Sequence, residues 1–245
     1  IDPSHKDFLL TDSSSAKLSE DFVKSTKSEF DLPGQFYNEK VPYGWNYMDN
    51  NDVILDGNVE TGMHGMHVAG TVAANGDEED DGIKGVAPEV QVLALRVFGE
   101  KQATTYGDIY IKAIDDAIKL GADVLNMSLG STAGFVDADS PEQQAIKSAV
   151  DNGVVISISA GNSTYYGDGY FYPYTSNPDY GVVGSPSVSY DSISVASFEN
   201  SFMDVDTAGV SINGEDAEQV MFLSAGKSAP TVGESFELVY AGLGY

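Results

Sequence analysis

From residue 90 onward the chain alternates short aliphatic runs with amphipathic stretches, and this alternation limits its fold more than any other feature. Residues 90–98 read as a strand buried on both faces, because they are rich in aliphatic side chains without strict alternation. Thr105-Tyr106-Gly107-Asp108 reads as a capping box, with Asp108 in the place of the usual Glu. Ile109, Ala113, Ile114, Ala117 and Ile118 then mark one face of a helix, which Gly121 ends. Residues 124–127 read as a short buried strand. Ser140-Pro141-Glu142-Gln143 is a second helix start, with Ser as cap and Pro in the first turn. Its apolar face is Ala145, Ile146, Ala149 and Val150, and Gly153 stops it. Residues 154–158 and 193–196 read as further strands. Such an order demands right-handed crossovers and a parallel sheet with helices on both faces, so the expected class is α/β. Ligands of these sheets sit at the carboxyl ends of strands. Here those ends carry Ser128-Leu129-Gly130 and Ser159-Ala160-Gly161-Asn162, small and polar as the rim of a site would be.

The flanks are less regular. Residues 19–29 read as a short helix. Val41-Pro42-Tyr43-Gly44-Trp45-Asn46-Tyr47 reads as a strand or extended segment, and Asp49-Asn50-Asn51-Asp52 as a turn. Val68, Ala69, Val72 and Ala73 recur at helical spacing after His64, up to Asn75. An acidic loop, Gly76-Asp77-Glu78-Glu79-Asp80-Asp81-Gly82, follows. From Ser211 the character changes. Val220-Met221-Phe222-Leu223 and Phe236-Glu237-Leu238-Val239-Tyr240 suggest short β-strands, so residues 211–245 are expected to open a second, β-rich unit after an α/β unit over 1–210.

Lys and Arg number 12 against 38 Asp and Glu, a formal net charge of −26. That surface repels phosphate backbones, so nucleic acid and anionic membranes are not expected partners. It favours calcium, which takes carboxylate and carbonyl oxygens. With no cysteine, the chain has no thiol nucleophile, disulfide or zinc-thiolate site. It holds no apolar run long enough to span a bilayer.

Two of the three histidines fall in His64-Gly65-Met66-His67-Val68-Ala69-Gly70, where a helix begins. Imidazole is the side chain whose ordinary pKa lies nearest neutrality, which suits His64 to shuttle a proton. Its bland alternative is a capping or core histidine. His67 is expected to be buried and hydrogen-bonded in support of the site. A zinc role for the pair is weak, because zinc helices favour histidines spaced by four with an intervening Glu. Asn162 can offer its amide to an oxyanion; alternatively it is a turn residue after Gly161. Ser128-Leu129-Gly130 can serve as a backbone edge to which a peptide adds as a strand.

Taken together, four segments carry a resemblance. His64-Gly65-Met66-His67-Val68-Ala69-Gly70, Gly85-Val86-Ala87-Pro88, Asn126-Met127-Ser128-Leu129-Gly130 and Ser159-Ala160-Gly161-Asn162 resemble the signatures of subtilisin-like serine proteases, with Met66 where Thr is more common. Residues 41–47, Met66 and Asp179-Tyr180-Gly181-Val182-Val183-Gly184-Ser185-Pro186 make the chain similar to the large cell-envelope proteinases of Gram-positive cocci and lactobacilli, the lactocepin and C5a-peptidase group. The resemblance implies a subtilisin-like α/β catalytic domain, incomplete here, followed by the start of a protease-associated β insert. It implies His64 as general base, Asn162 in the oxyanion hole, and Ser128, Leu129, Gly130, Ser159, Ala160 and Gly161 against a protein or peptide substrate. No cofactor is needed for that chemistry. Structural calcium is an expectation through Asn75 and carbonyls near Ile83, with Asp49 and Asp52 as weaker candidates. An extracellular or cell-wall location follows from the same resemblance.

The family's aspartate motif precedes an Ile-Asp-x-x-His segment, which Ile1-Asp2-Pro3-Ser4-His5 matches, so the catalytic Asp is expected upstream of residue 1. No Gly-Thr-Ser-Met-Ala motif occurs; Gly226-Lys227-Ser228-Ala229-Pro230 lacks the Met-Ala helix start, and Ser228 is not taken as the nucleophile. The chain alone is therefore expected to be inactive. Two other readings stay open: a non-catalytic binding or inhibitory module on a protease scaffold, and one half of a split protease whose remainder is a second chain.

Overall fold

The computed structural model describes residues 1–55, 63–102, 104–132, 134–163, 183–198, 201–202, 206–212 and 215–222. The chain divides into two compact units, Ile1–Ala196 and Ser197–Tyr245.

In the first unit, helix α1 spans Glu20–Phe30 and strand β1 Tyr43–Asn46. Helix α2 spans His64–Ala73 and strand β2 Leu93–Arg96. Helix α3 (Gly107–Lys119), strand β3 (Val124–Met127), helix α4 (Pro141–Asp151), strand β4 (Val155–Ser159) and strand β5 (Ile193–Val195) follow. The alternation of the sequence is thus the alternation of the fold. All ladders in this unit are parallel. β1 pairs β2, with Tyr43 opposite Leu93, and β3-β4-β5 form a second sheet, with Val124 opposite Val155 and Ser157 opposite Ile193.

The β1–β2 pair has helices on both faces, as a parallel sheet requires. Side chains alternate along a strand. Val41, Val92 and Ala94 face the cluster that holds Phe8, Ile54 and the α2 residues Ala69 and Ala73. Tyr43, Leu93 and Leu95 face Leu18, Val23 and Leu32, with Leu120 from the end of α3. β3 and β4 are covered differently. Ile114 of α3 with Ile146 and Ala149 of α4 bury Met127, Ile156 and Ile158 on one face. The other face leaves Val124, Val155, Ile193 and Val195 between 48% and 61% exposed. The expectation that 124–127 is buried throughout is corrected: only every second residue turns to the helices. In β2, likewise, Ala94 alone is fully buried and its strand neighbours are half-buried.

Helix starts divide into one kept and one lost expectation. Ser140 caps α4 by accepting from the Gln143 amide. The Thr105 capping box does not form. The N-cap of α3 is Tyr106, one residue later, without a side-chain cap bond, and the Thr105 hydroxyl is buried with no partner. The box fails because the helix begins at Gly107 and Asp108 is then its second residue.

Lys40 enters β1 buried, 2% exposed. Its ammonium donates to the Pro88 carbonyl at 2.6 Å and lies 5.7 Å from the Phe8 ring centre. Burial, only partly offset by the charge of Glu89, depresses its pKa to about 8. Between that value and the ordinary 10.5, the unfolded chain holds a proton the folded chain lacks, so this group makes stability rise with pH across the window. Urea midpoints measured from pH 7.5 to 9.5 are expected to rise in wild type relative to Lys40→Met, which removes that slope. Parallel curves for the two proteins would contradict it.

Among the described residues of the second unit, β6 (Asp206–Ile212) pairs antiparallel with β7 (Glu215–Phe222), Asp206 opposite Phe222, with an irregularity at Val210/Ser211. The 220–222 strand is therefore present, and residue 211 falls inside β6. The expected strand at 236–240 and Ser228 lie outside the described residues.

Candidate active site

His64 opens α2. At 3.6 residues per turn, positions 64, 67 and 71 fall on one side and 66, 69 and 73 on the other. The inward side is chosen by Met66, Ala69 and Ala73, which pack against the β1–β2 sheet. His64 and His67 are consequently both exposed. This corrects the expectation of a buried His67: the periodicity that frees His64 frees His67 too.

The strand ends assemble a second group. The β3–β4 register sets Met127 opposite Ile158, so Ser128 follows beside Ser159. Ser159 donates its hydroxyl to the Leu129 carbonyl at 3.4 Å, and the Asn126 amide reaches the Ser128 hydroxyl at 3.1 Å. Ala160 is buried, and its N–H is held by the Val195 carbonyl at 2.8 Å. Gly161 then adopts φ +96°, a left-handed conformation that side chains disfavour, and Asn162 emerges exposed. Ser128, Leu129, Gly130, Ser159, Ala160, Gly161 and Asn162 thus share one rim, at the carboxyl ends of parallel strands. His64 belongs to the helix of the other sheet, and among the described residues no hydrogen bond joins it to the rim.

A third segment of the rim was not assigned to the site from sequence. Ser131 and Ser185 exchange two backbone bonds of 2.9 and 3.0 Å, the Gly134 N–H donates to the Val183 carbonyl at 3.1 Å, and the Gly184 N–H donates to the Ala160 carbonyl at 3.1 Å. A Cβ on Gly184 would stand 2.5 Å from the Ser131 carbonyl oxygen, so the approach is too close for any other residue. The Ser187 hydroxyl, buried, lies 2.6 Å from that of Ser194. Gly184-Ser185-Pro186 entered the sequence reading only through the resemblance it carries; its pairing with 131–134 is long-range and leaves no local trace.

Hydrogen bonds link Asp7 and, from the segment that follows α2, Asn75, Gly76, Ile83 and Glu89. Asp7 is 5% exposed. Its backbone carbonyl takes the Asn75 N–H at 2.7 Å and its carboxylate takes the Ile83 N–H at 3.3 Å. The Asn75 amide nitrogen reaches Glu89 at 2.8 Å, and the Gly76 N–H donates to the Ile83 carbonyl at 2.7 Å. Asp49 serves the turn before β2's neighbour loop: it accepts from the Glu100 N–H at 2.8 Å and the Asn46 amide at 2.9 Å, and these bonds hold its carboxyl below the usual range. Among the described residues, no group of three or more His, Asp or Glu is placed to hold a metal ion. Among them also, no helix is long and apolar enough to cross a membrane.

Comparison with known proteins gives the family of the chain. The model of the subtilase family, peptidase S8, matches residues 2–242, and the chain belongs to that family. It is 44% identical over 219 residues to the PIII-type proteinase of Lactococcus lactis subsp. cremoris (strain SK11), covering 86% of this chain and 11% of that protein. It is 31% identical over 250 residues to the C5a peptidase of Streptococcus pyogenes serotype M3, covering all of this chain and 21% of that protein. The chain therefore spans only a small part of these relatives. Among solved structures, Sphericase is 32% identical with a TM-score of 0.42, covering 61% of this chain and 41% of its own, a superposition that carries no argument here.

Proposed function

We propose that this chain carries the general base, the oxyanion donor and the substrate edge of a secreted or cell-wall subtilisin-like serine endopeptidase. The observation behind this is the rim itself: in a subtilase, the parallel register of β3 and β4 sets residues 128–130 beside 159–162 at the ligand-binding end of the sheet. A substrate peptide adds along 128–130 as a strand. The small residues 159–161 leave room for its side chain, and Asn162 donates to the tetrahedral oxyanion. His64 takes the proton of a serine nucleophile and returns it to the leaving amine, oriented by an aspartate. Neither of those two partners is assigned to a residue of this chain. The exposed face of Val124, Val155, Ile193 and Val195 supports further polypeptide packing there, whether continuous or as a second chain.

Asn162→Ala in the full-length protein tests the assignment. The expected result is a fall in kcat of about 10²–10³-fold with KM nearly unchanged, because the oxyanion exists only beyond the ground state. A change in KM alone would make Asn162 a turn residue.

Structural calcium belongs to the same proposal. Asp7, Asn75 and Ile83 are neighbours, through the Ile83 N–H on the Asp7 carboxylate and the Asn75 N–H on the Asp7 carbonyl, and carboxylate, amide and carbonyl oxygens are the ligands a hard cation takes. Millimolar calcium is expected to raise the melting temperature and EGTA to reverse it, with magnesium far weaker; identical melting in all three conditions would remove calcium from the account.

A further inference from the structure

We propose that Met66 is a reversible oxidation site through which peroxide loosens residues 1–2 from α2. Three observations converge on its sulfur. Met66 is half-buried and packs, with Ile1, against the cluster of Phe8, Ala69 and Ala73. Its Sδ accepts the backbone N–H of Asp2 at 3.3 Å, joining chain positions 64 residues apart. One residue earlier, the Ile1 backbone nitrogen donates to the Ile54 carbonyl at 2.7 Å. The thioether is thus both an apolar filler and the acceptor that pins the segment.

Hydrogen peroxide is the oxidant. A sulfur lone pair of Met66 attacks one peroxide oxygen, the S–O bond forms as the O–O bond breaks, and the displaced hydroxide takes a proton to leave as water. Sulfur is oxidised to the sulfoxide and peroxide is reduced. The added oxygen is polar, and toward the Asp2 N–H it has to fit within the 3.3 Å contact between Sδ and that nitrogen, which moves Ile1-Asp2 away from the helix. Two other methionines of the first unit differ in exposure. Met63 is 52% exposed, so its oxidation costs little structure, and Met127 is 7% exposed and shielded. The inference is independent of catalysis by His64.

The test treats the chain with hydrogen peroxide, maps the oxidised peptides by mass spectrometry and follows melting and the NMR exchange rate of the Asp2 amide. Met66 is expected to gain one oxygen, with a fall in Tm of about 2–8 °C and faster Asp2 exchange, both restored by methionine sulfoxide reductases. Met63→Leu should respond as wild type. Met66→Leu, which keeps the volume and lacks the sulfur, should keep its Tm in peroxide. The proposal is overturned if Met66 stays unoxidised when Met63 is saturated. It is equally overturned if Met66→Leu loses as much Tm, or if oxidation leaves Asp2 exchange unchanged.

Discussion

Replacing His64 by alanine is expected to lower kcat of the full-length protein by about 10³-fold or more while leaving its melting temperature in place. The two halves of this result have separate causes. In the proposed mechanism turnover falls because no other group on α2 can take the nucleophile's proton in His64's position. His67 is one turn on, on the same exposed side, and reaches a different place. Stability holds because α2 is fixed through its opposite side, by Met66, Ala69 and Ala73, and the His64 side chain is exposed. Peptide hydrolysis and thermal melting measured on the same preparation check both. Activity within tenfold of wild type would return His64 to a helix-start residue, and a large loss of Tm would make it a structural one. His67→Ala is the matching control, with a far smaller effect on kcat.

The second large effect is on folding. Asp116 is fully buried on α3. Its carboxylate accepts the Tyr47 hydroxyl at 3.1 Å, pairs directly with Lys112 and lies 3.9 Å from the Lys119 ammonium. Burial, with Tyr43 and Asp116 close by, pushes the Tyr47 phenol well up, so it stays a donor throughout the working range of pH. Tyr43 beside it is raised to about 12, again chiefly by burial. Asp116→Ala leaves the Tyr47 hydroxyl buried without its acceptor and takes a carboxylate from two lysines. Lys112 and Lys119 stay partly exposed, so the loss is chiefly that of leaving the Tyr47 hydroxyl buried without an acceptor, about 1–3 kcal/mol, and for a domain of this size that is a fall in Tm of about 2–12 °C. Asp116→Asn keeps an acceptor for Tyr47 and should lose much less. Equal losses for the two variants would show that packing, not the hydrogen bond, is what Asp116 supplies.

That carboxylate also shows where sequence reading stops. The sequence marks the inward face of this helix by Ile109, Ala113, Ile114, Ala117 and Ile118, and Asp116 is not among them. Asp116 nonetheless lies on the side of Ala113 and Ala117, and its partner Tyr47 is 69 residues away. Propensity and periodicity are local, so nothing near Asp116 announces Tyr47. The same limit hid the 183–187 segment, whose place on the rim depends on bonds from Ser185 to Ser131 and from Gly184 to Ala160. It also explains His67. The sequence placed it on a helix correctly, but the phase of that helix was decided by what Met66, Ala69 and Ala73 found to pack against.

Local signals succeeded where one segment settles the matter. The Ser140 cap, the glycines after α3 and α4, and the aliphatic runs of β3 and β4 each state an element without outside help. Their order then enforces parallel pairing, because consecutive strands joined through a helix must run the same way. The rim at 128–130 and 159–162 follows from that order alone, since it occupies the ends of two adjacent parallel strands. Tertiary structure decided the rest: which face of each strand is covered, which side of α2 points inward, and which distant carboxylate receives the Tyr47 hydroxyl. A residue's spacing fixes its neighbours along an element, whereas its burial depends on the surface that another element brings to it.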